Sequence, residues 1–98
     1  MLYRGMKIVV KTLATLYSIT GSIKHELEVP NDSTIYDVIK IISKMYPRLE
    51  KELFRDDGGI RENYRIFLNG REVIHIGGLD TKVGDGDIVT IIPPVGGG

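Results

Sequence analysis

Residues 34–47 constrain this chain most, because they specify a helix that cannot stand alone. Ile35, Val38, Ile39, Ile42, Met45 and Tyr46 recur at steps of three and four, which lays one continuous apolar stripe along a helix. Lys40, Ser43 and Lys44 hold the other side. Thr34 is placed to cap the first turn, and Asp37 completes a box-like arrangement near the positive end of the helix dipole. Pro47 stops the helix, since proline disfavours helical backbone in the residue before it.

The flanking segments read as strands. Residues 6–14 are β-branched and form the first. Residues 17–21 are turn-like, and Gly21-Ser22 suits a hairpin. In the second strand Ile23, His25, Leu27 and Val29 alternate with Ser22, Lys24, Glu26 and Glu28, until Pro30 and Asn31 end it. After the helix, residues 49–54 add a short helical turn and 55–63 make a polar, glycine-bearing, mobile loop. Residues 64–68 are a third strand, joined through the hairpin signal Asn69-Gly70 to a fourth at 71–74. A connection at 77–81 and a tight turn at 84–87 lead to the last strand, 88–92. This order predicts an α+β chain with a β-grasp fold, a mixed sheet of about five strands clasping one main helix. No repeat or linker is visible, so 1–98 reads as a single domain with a flexible tail at 93–98.

The alternation also divides the sheet into two faces. Ile8 with Val10, Ile66 with Leu68, and Val89 with Ile91 are wholly apolar sets that should pack under the helix. On the other face Val9 and Leu13 go with Lys7 and Lys11, Phe67 goes with Arg65, and Ile88 and Ile92 go with Thr90. Scattered surface apolars are normal. Here Val9, Leu13, Phe67 and Ile92 are read instead as a partner-docking patch beside the tail.

Composition removes most chemistries. Thirteen basic residues balance thirteen acidic ones, so there is no global field to attract nucleic acid or an anionic membrane. Cysteine is absent, which excludes disulfides, thiolate metal sites and cysteine nucleophiles. No apolar run approaches the roughly 20 residues of a membrane span, and no charged-then-apolar leader opens the chain. The expectation is a soluble, cytoplasmic protein. His25 falls on the apolar phase of its strand, where a structural histidine is expected; His75 has no companion nucleophile or carboxylate that the sequence establishes. Asp56-Asp57 and Asp85-Gly86-Asp87 lack the spaced oxygen ligands and closing glutamate of a calcium loop. Gly77-Gly78 and Gly84-Asp85-Gly86 lack the ending of a phosphate loop. No metal site is expected, and the chain is not expected to be an enzyme by itself.

What remains is the end of the chain. Pro93-Pro94-Val95-Gly96-Gly97-Gly98 follows directly on the apolar run 88–92, and neither proline can donate to a neighbouring strand. Six extended residues reach about 20 Å, enough to enter a pocket in another protein. A frayed end is one reading. The other, favoured by the abrupt order of strand, prolines, small residue and glycines, is a carboxylate that a partner must reach. Glycine suits a narrow channel because it has no Cβ, and the prolines reduce the entropy lost on threading.

Asn69-Gly70-Arg71, Gly78-Leu79-Asp80-Thr81, Asp85-Gly86-Asp87 and the 93–98 tail resemble the MoaD/ThiS group of ubiquitin-like sulfur carriers. Ala14-Thr15-Leu16, Ile19-Thr20-Gly21 and the helix ending in Tyr46-Pro47 agree, so the resemblance covers nearly the whole chain. Within the group it is strongest to the small subunit of molybdopterin synthase, with the terminal glycines and preceding Pro-Pro as the specific part. The resemblance implies that an ATP-dependent adenylyltransferase activates the terminal glycine, which becomes a thiocarboxylate. The large subunit of molybdopterin synthase then accepts the tail, and the sulfur passes to a pterin precursor. Gly98 would be the sulfur-bearing residue and Gly97 its companion, with Pro93, Pro94, Val95 and Gly96 contacting the partner. No cofactor is implied to be permanently bound, and the ATP belongs to the activating enzyme. Gly96 stands where the group often has alanine, and residues 1–5 extend its usual start. Related carriers serve thiamine synthesis or tRNA thiolation, and some archaeal members are conjugated to lysines.

Overall fold

The computed structural model describes residues 5–94. Strand β1 (Gly5–Thr12) is followed by helix α1 (Thr15–Thr20), β2 (Lys24–Pro30), α2 (Ile35–Met45) and α3 (Pro47–Leu53). Then come β3 (Arg65–Leu68), β4 (Arg71–Glu72), two 3-10 turns at Val73–His75 and Gly78–Asp80, and β5 (Ile88–Ile92). The strands form one five-stranded sheet in the order β2-β1-β5-β3-β4. The central pair β1 and β5 is parallel, whereas β1–β2, β5–β3 and β3–β4 are antiparallel.

The main helix forms for the reasons its residues dictate. The Asp37 backbone N–H donates to Thr34 Oγ1 (3.2 Å), and the Thr34 N–H donates to Asp37 Oδ2 (3.0 Å), closing a capping box. Ile35, Val38, Ile39 and Ile42 are buried without measurable exposure against Ile8, Val10, Val89 and Ile91 of the sheet. Taking each such side chain out of water contributes about 1.5–3 kcal/mol, so this contact is a large part of the core.

Several expectations need correction. Residues 17–21 are not only a turn: α1 runs through them, buries Leu16 and ends where Gly21 (φ 82°) donates its N–H to Tyr17 O. Pro47 does end α2, but it also opens α3, which buries Leu49 and Leu53. Helix α3 packs against α2 and widens its buried arc, so Ser43 is fully buried rather than on an exposed side, while Met45 is 52% exposed at the helix end. Ile23, which shares the apolar phase of His25, Leu27 and Val29, lies before β2 and is exposed. The strand predicted at 71–74 stops at Glu72, because Val73 turns inward and starts a 3-10 turn. The loop at 55–63 is folded down by buried Ile60, which bridges to Phe54, and Arg55 N–H donates to Gly59 O at 2.7 Å.

The Asn69-Gly70 hairpin and the tight turn at 84–87 differ. Asn69 (φ 51°) and Gly70 (φ 87°) both adopt left-handed backbone, the geometry of a two-residue turn whose twist matches the strands. Gly84–Asp87 is tied to β1: Lys7 N–H donates to Asp85 Oδ1 (2.8 Å), and Gly86 N–H donates to Lys7 O (2.7 Å). Among the described residues, no helix is long and apolar enough to cross a membrane. The architecture is a β-grasp: a mixed sheet wrapped on one face by a main helix and two short ones.

Candidate functional site

The strand register assembles the predicted outer patch and locates it. Val9 lies opposite Glu26 on β2 and beside Ile88 on β5. Thr90 lies between Lys11 on one side and Phe67 on the other, and Ile92 faces Arg65. Leu13 follows β1 at the same end, with its N–H 3.4 Å from Ile91 O. Val9, Leu13, Phe67 and Ile92 are all half-buried, unlike their neighbours on the core face, and the structure brings them together on one surface. Ile88 belongs to the same surface and is half-buried too. Its phase with Thr90 places it there, so the patch extends beyond the four residues expected from the sequence.

A salt-bridged pair borders this surface. Arg65 forks onto Glu72, with Nε 3.0 Å from Oε2 and Nη2 2.8 Å from Oε1. Its guanidinium stands 5.1 Å from the centre of the Phe67 ring. The hydrogen bond from Arg65 holds the Glu72 carboxyl below the ordinary glutamate range. The hairpin turn places Phe67 opposite Glu72, so the pair was readable from the Asn69-Gly70 register.

Because β1 and β5 run parallel, the C-terminal ends of both strands lie at one end of the sheet, together with Lys24 and Arg65. The chain leaves the sheet there. Pro93 is buried and Pro94 exposed, so the stalk starts one residue later than the sequence suggested. Val95, Gly96, Gly97 and Gly98 lie outside the described residues.

The other candidate groups are occupied with structure. His25 Nε2 is 2.9 Å from Ser22 O and 3.0 Å from Thr12 Oγ1, and its Nδ1 is 3.4 Å from the Tyr46 hydroxyl. Since a carbonyl only accepts, Nε2 donates to Ser22. The histidine therefore fastens the start of β2 to β1 and α2. Asp57 accepts from Gly59 N–H (2.9 Å) and Arg55, which holds its carboxyl below the usual range. Asp87 accepts from Gly84 N–H and Asn69, so both acidic turns serve turn chemistry. A cleft of about 680 Å³ opens beside β3, lined by Ile60, Tyr64, Ile66, Val73 and Leu79. Its Tyr64 hydroxyl, which donates to Glu52, is pushed up to about 12 by burial and by Glu52, and Glu62 and Glu72 supply the carboxylates of the lining. Among the described residues, no three His, Asp or Glu side chains converge as a metal site would require.

A five-stranded mixed sheet clasping one main helix defines a small ubiquitin-like domain. The ThiS family profile matches residues 10–98, and the chain belongs to this ThiS/MoaD family of ubiquitin-like sulfur carriers and modifiers. Small archaeal modifier protein 3 of Haloferax volcanii is 33% identical over 95% of this chain and all of its own length. A putative sulfur carrier protein of Archaeoglobus fulgidus is 35% identical over 66% of this chain and 74% of its own. Among solved structures, the putative molybdopterin converting factor, subunit 1, of Pyrococcus furiosus superposes with a TM-score of 0.74 at 30% identity, covering 92% of this chain and 99% of that one. The BexX/CysO complex of Amycolatopsis orientalis contains a chain with a TM-score of 0.76 at 25% identity, covering 93% and 99%. That family member is thus seen assembled with another protein.

Proposed function

We propose that this protein is a sulfur carrier whose terminal Gly98 is activated and converted to a thiocarboxylate. The observation that carries the reading is the geometry of the exit. β5 ends at the edge of the half-buried patch, and Pro93 anchors the chain where it leaves for the glycines. An adenylating enzyme would dock on Val9, Leu13, Phe67 and Ile92 and receive Pro94, Val95, Gly96, Gly97 and Gly98 in its ATP site. The Gly98 carboxylate attacks the α-phosphate of ATP and expels pyrophosphate; a sulfur nucleophile then displaces AMP and leaves a carbon–sulfur bond. ATP is the partner's co-substrate, and the carrier itself needs no resident cofactor or metal. The acceptor in this reading is a pterin precursor held by the large subunit of molybdopterin synthase, which the Pro-Pro-Val-Gly tail and the Pyrococcus furiosus neighbour support. The reactions fall in the cytoplasm and involve neither nucleic acid nor membrane.

A second reading has its own support in the Haloferax volcanii relative, which is a modifier protein. The same activated Gly98 would then be attacked by a lysine ε-amine to give an isopeptide. Incubation with the adenylating enzyme, ATP and a sulfur donor tests the first reading. Intact-mass spectrometry should find one terminal oxygen replaced by sulfur; an unchanged mass contradicts it. Lysines bearing a glycine remnant in cell digests would establish the modifier role.

A further inference from the structure

The outer face sets two like charges directly opposite one another. On the β1–β2 ladder Lys7 faces Glu28 and Val9 faces Glu26, but Lys11 directly faces Lys24. All five charged residues lie on the outward phase of the two strands. Adjacent strands are about 4.8 Å apart, and like charges placed directly opposite destabilise a sheet. Lys11 is half-buried, and neither ammonium is ion-paired among the described residues. Arg65, the other cation at this end, is already neutralised by Glu72. The nearest carboxylate on this face by register, Glu26, is diagonal to Lys11 rather than opposite it, so the facing lysines sit beside Leu13 and Ile92, at the end of the sheet where the chain departs.

We propose that the partner docked on this face presents a carboxylate that bridges Lys11 and Lys24. The partner surface is apolar opposite Val9, Phe67, Ile88 and Ile92 and acidic opposite the lysine pair. This inference rests on the reading of the outer face as the docking surface for an adenylating enzyme, and it names the charge that enzyme must carry. A carboxylate there relieves the repulsion only in the complex, so the pair favours association and orients the face relative to the exit. A lysine facing a glutamate, as at Lys7 and Glu28, would give stability to the free protein and nothing to the complex.

The test is Lys24→Glu in ATP–pyrophosphate exchange with the adenylating enzyme of the same genome. Attraction to Lys11 should raise the melting midpoint by about 2–4 °C. The same change should raise KM for the carrier about tenfold with little change in kcat. Raising the salt concentration should raise KM of the wild type and much less that of the variant. Lys51→Glu, on exposed α3, serves as the charge control and should leave KM unchanged. If Lys24→Glu fails to fold, Lys24→Ser decides, with a smaller rise in KM expected. An unchanged KM in either folded variant overturns the proposal. Salt-dependent binding of a fluorescent RNA oligonucleotide, lost in Lys24→Glu while KM stays the same, would assign the pair to nucleic acid and also overturn it. No exchange with the wild type would instead overturn the carrier reading beneath it, so the two failures are distinguishable.

Discussion

The two faces of this sheet are made by the same strands and obey different rules. Inward residues Ile8, Val10, Val89 and Ile91 are essentially unexposed and meet Ile35, Val38, Ile39 and Ile42 of the main helix. Outward residues Val9, Phe67, Ile88 and Ile92 remain half-buried, and two lysines oppose one another among them. A chain selected for stability alone would place a carboxylate opposite Lys11 and polar groups around it. The contrast separates the faces: one holds the domain together, and the other is the surface proposed above for docking.

Truncating each face should separate the two roles. Ile39→Ala removes a fully buried side chain from the helix–sheet contact and should cost about 2–5 kcal/mol in chemical denaturation. Phe67→Ala, on the outer face, should cost about 1 kcal/mol or less yet weaken binding to the adenylating enzyme at least about tenfold. Equal stability losses at the two positions would break the comparison. Ala14 provides a smaller test in the opposite direction. Its backbone (φ 55°, ψ −127°) is one that an L-residue adopts with strain, immediately after Leu13 of the outer patch. Ala14→Gly should raise stability by about 0.5–1 kcal/mol, the strain relief exceeding the added chain entropy.

The smallest effect concerns Glu72. Its carboxyl titrates below the ordinary value of 4.5 because Arg65 donates to it. The folded state therefore binds the proton more weakly than the unfolded state, so the pair adds stability above that ordinary value and loses it as pH falls through the depressed one. Thermal melts of wild type and Glu72→Gln should differ slightly at neutral pH and converge on acidification. The Arg65 side chain is largely exposed, which keeps the difference small. A gap that widens in acid would contradict the assignment.

The legible parts of the molecule were those written in local periodicity. The stripe on α2, the capping box of Thr34 and Asp37, the Asn69-Gly70 turn and the inward sets on β1, β3 and β5 all follow from neighbours a few residues apart. Helix α1 was missed because its six residues have no capping side chain and depend on the backbone of Ala14 and Gly21. The burial of Ser43 depends on α3 packing beside α2, and that of Ile60 on the bridge to Phe54; neither contact is local. Within the candidate site, alternation identified four outer apolar residues. The opposition of Lys11 and Lys24 was invisible because it depends on the β1–β2 register, which α1 sets between the strands. The reading of the glycine tail rests on its chemistry rather than on any fold signal, and residues 95–98 lie outside those described.

The central claim is that the domain serves to deliver one carboxylate. The most direct test appends a single residue after Gly98 and measures sulfur loading by intact-mass spectrometry, with thermal melting in parallel. The account predicts an unchanged melting midpoint and complete loss of the sulfur-bearing product. An extended protein that still acquires sulfur would show that the reactive group is not at Gly98.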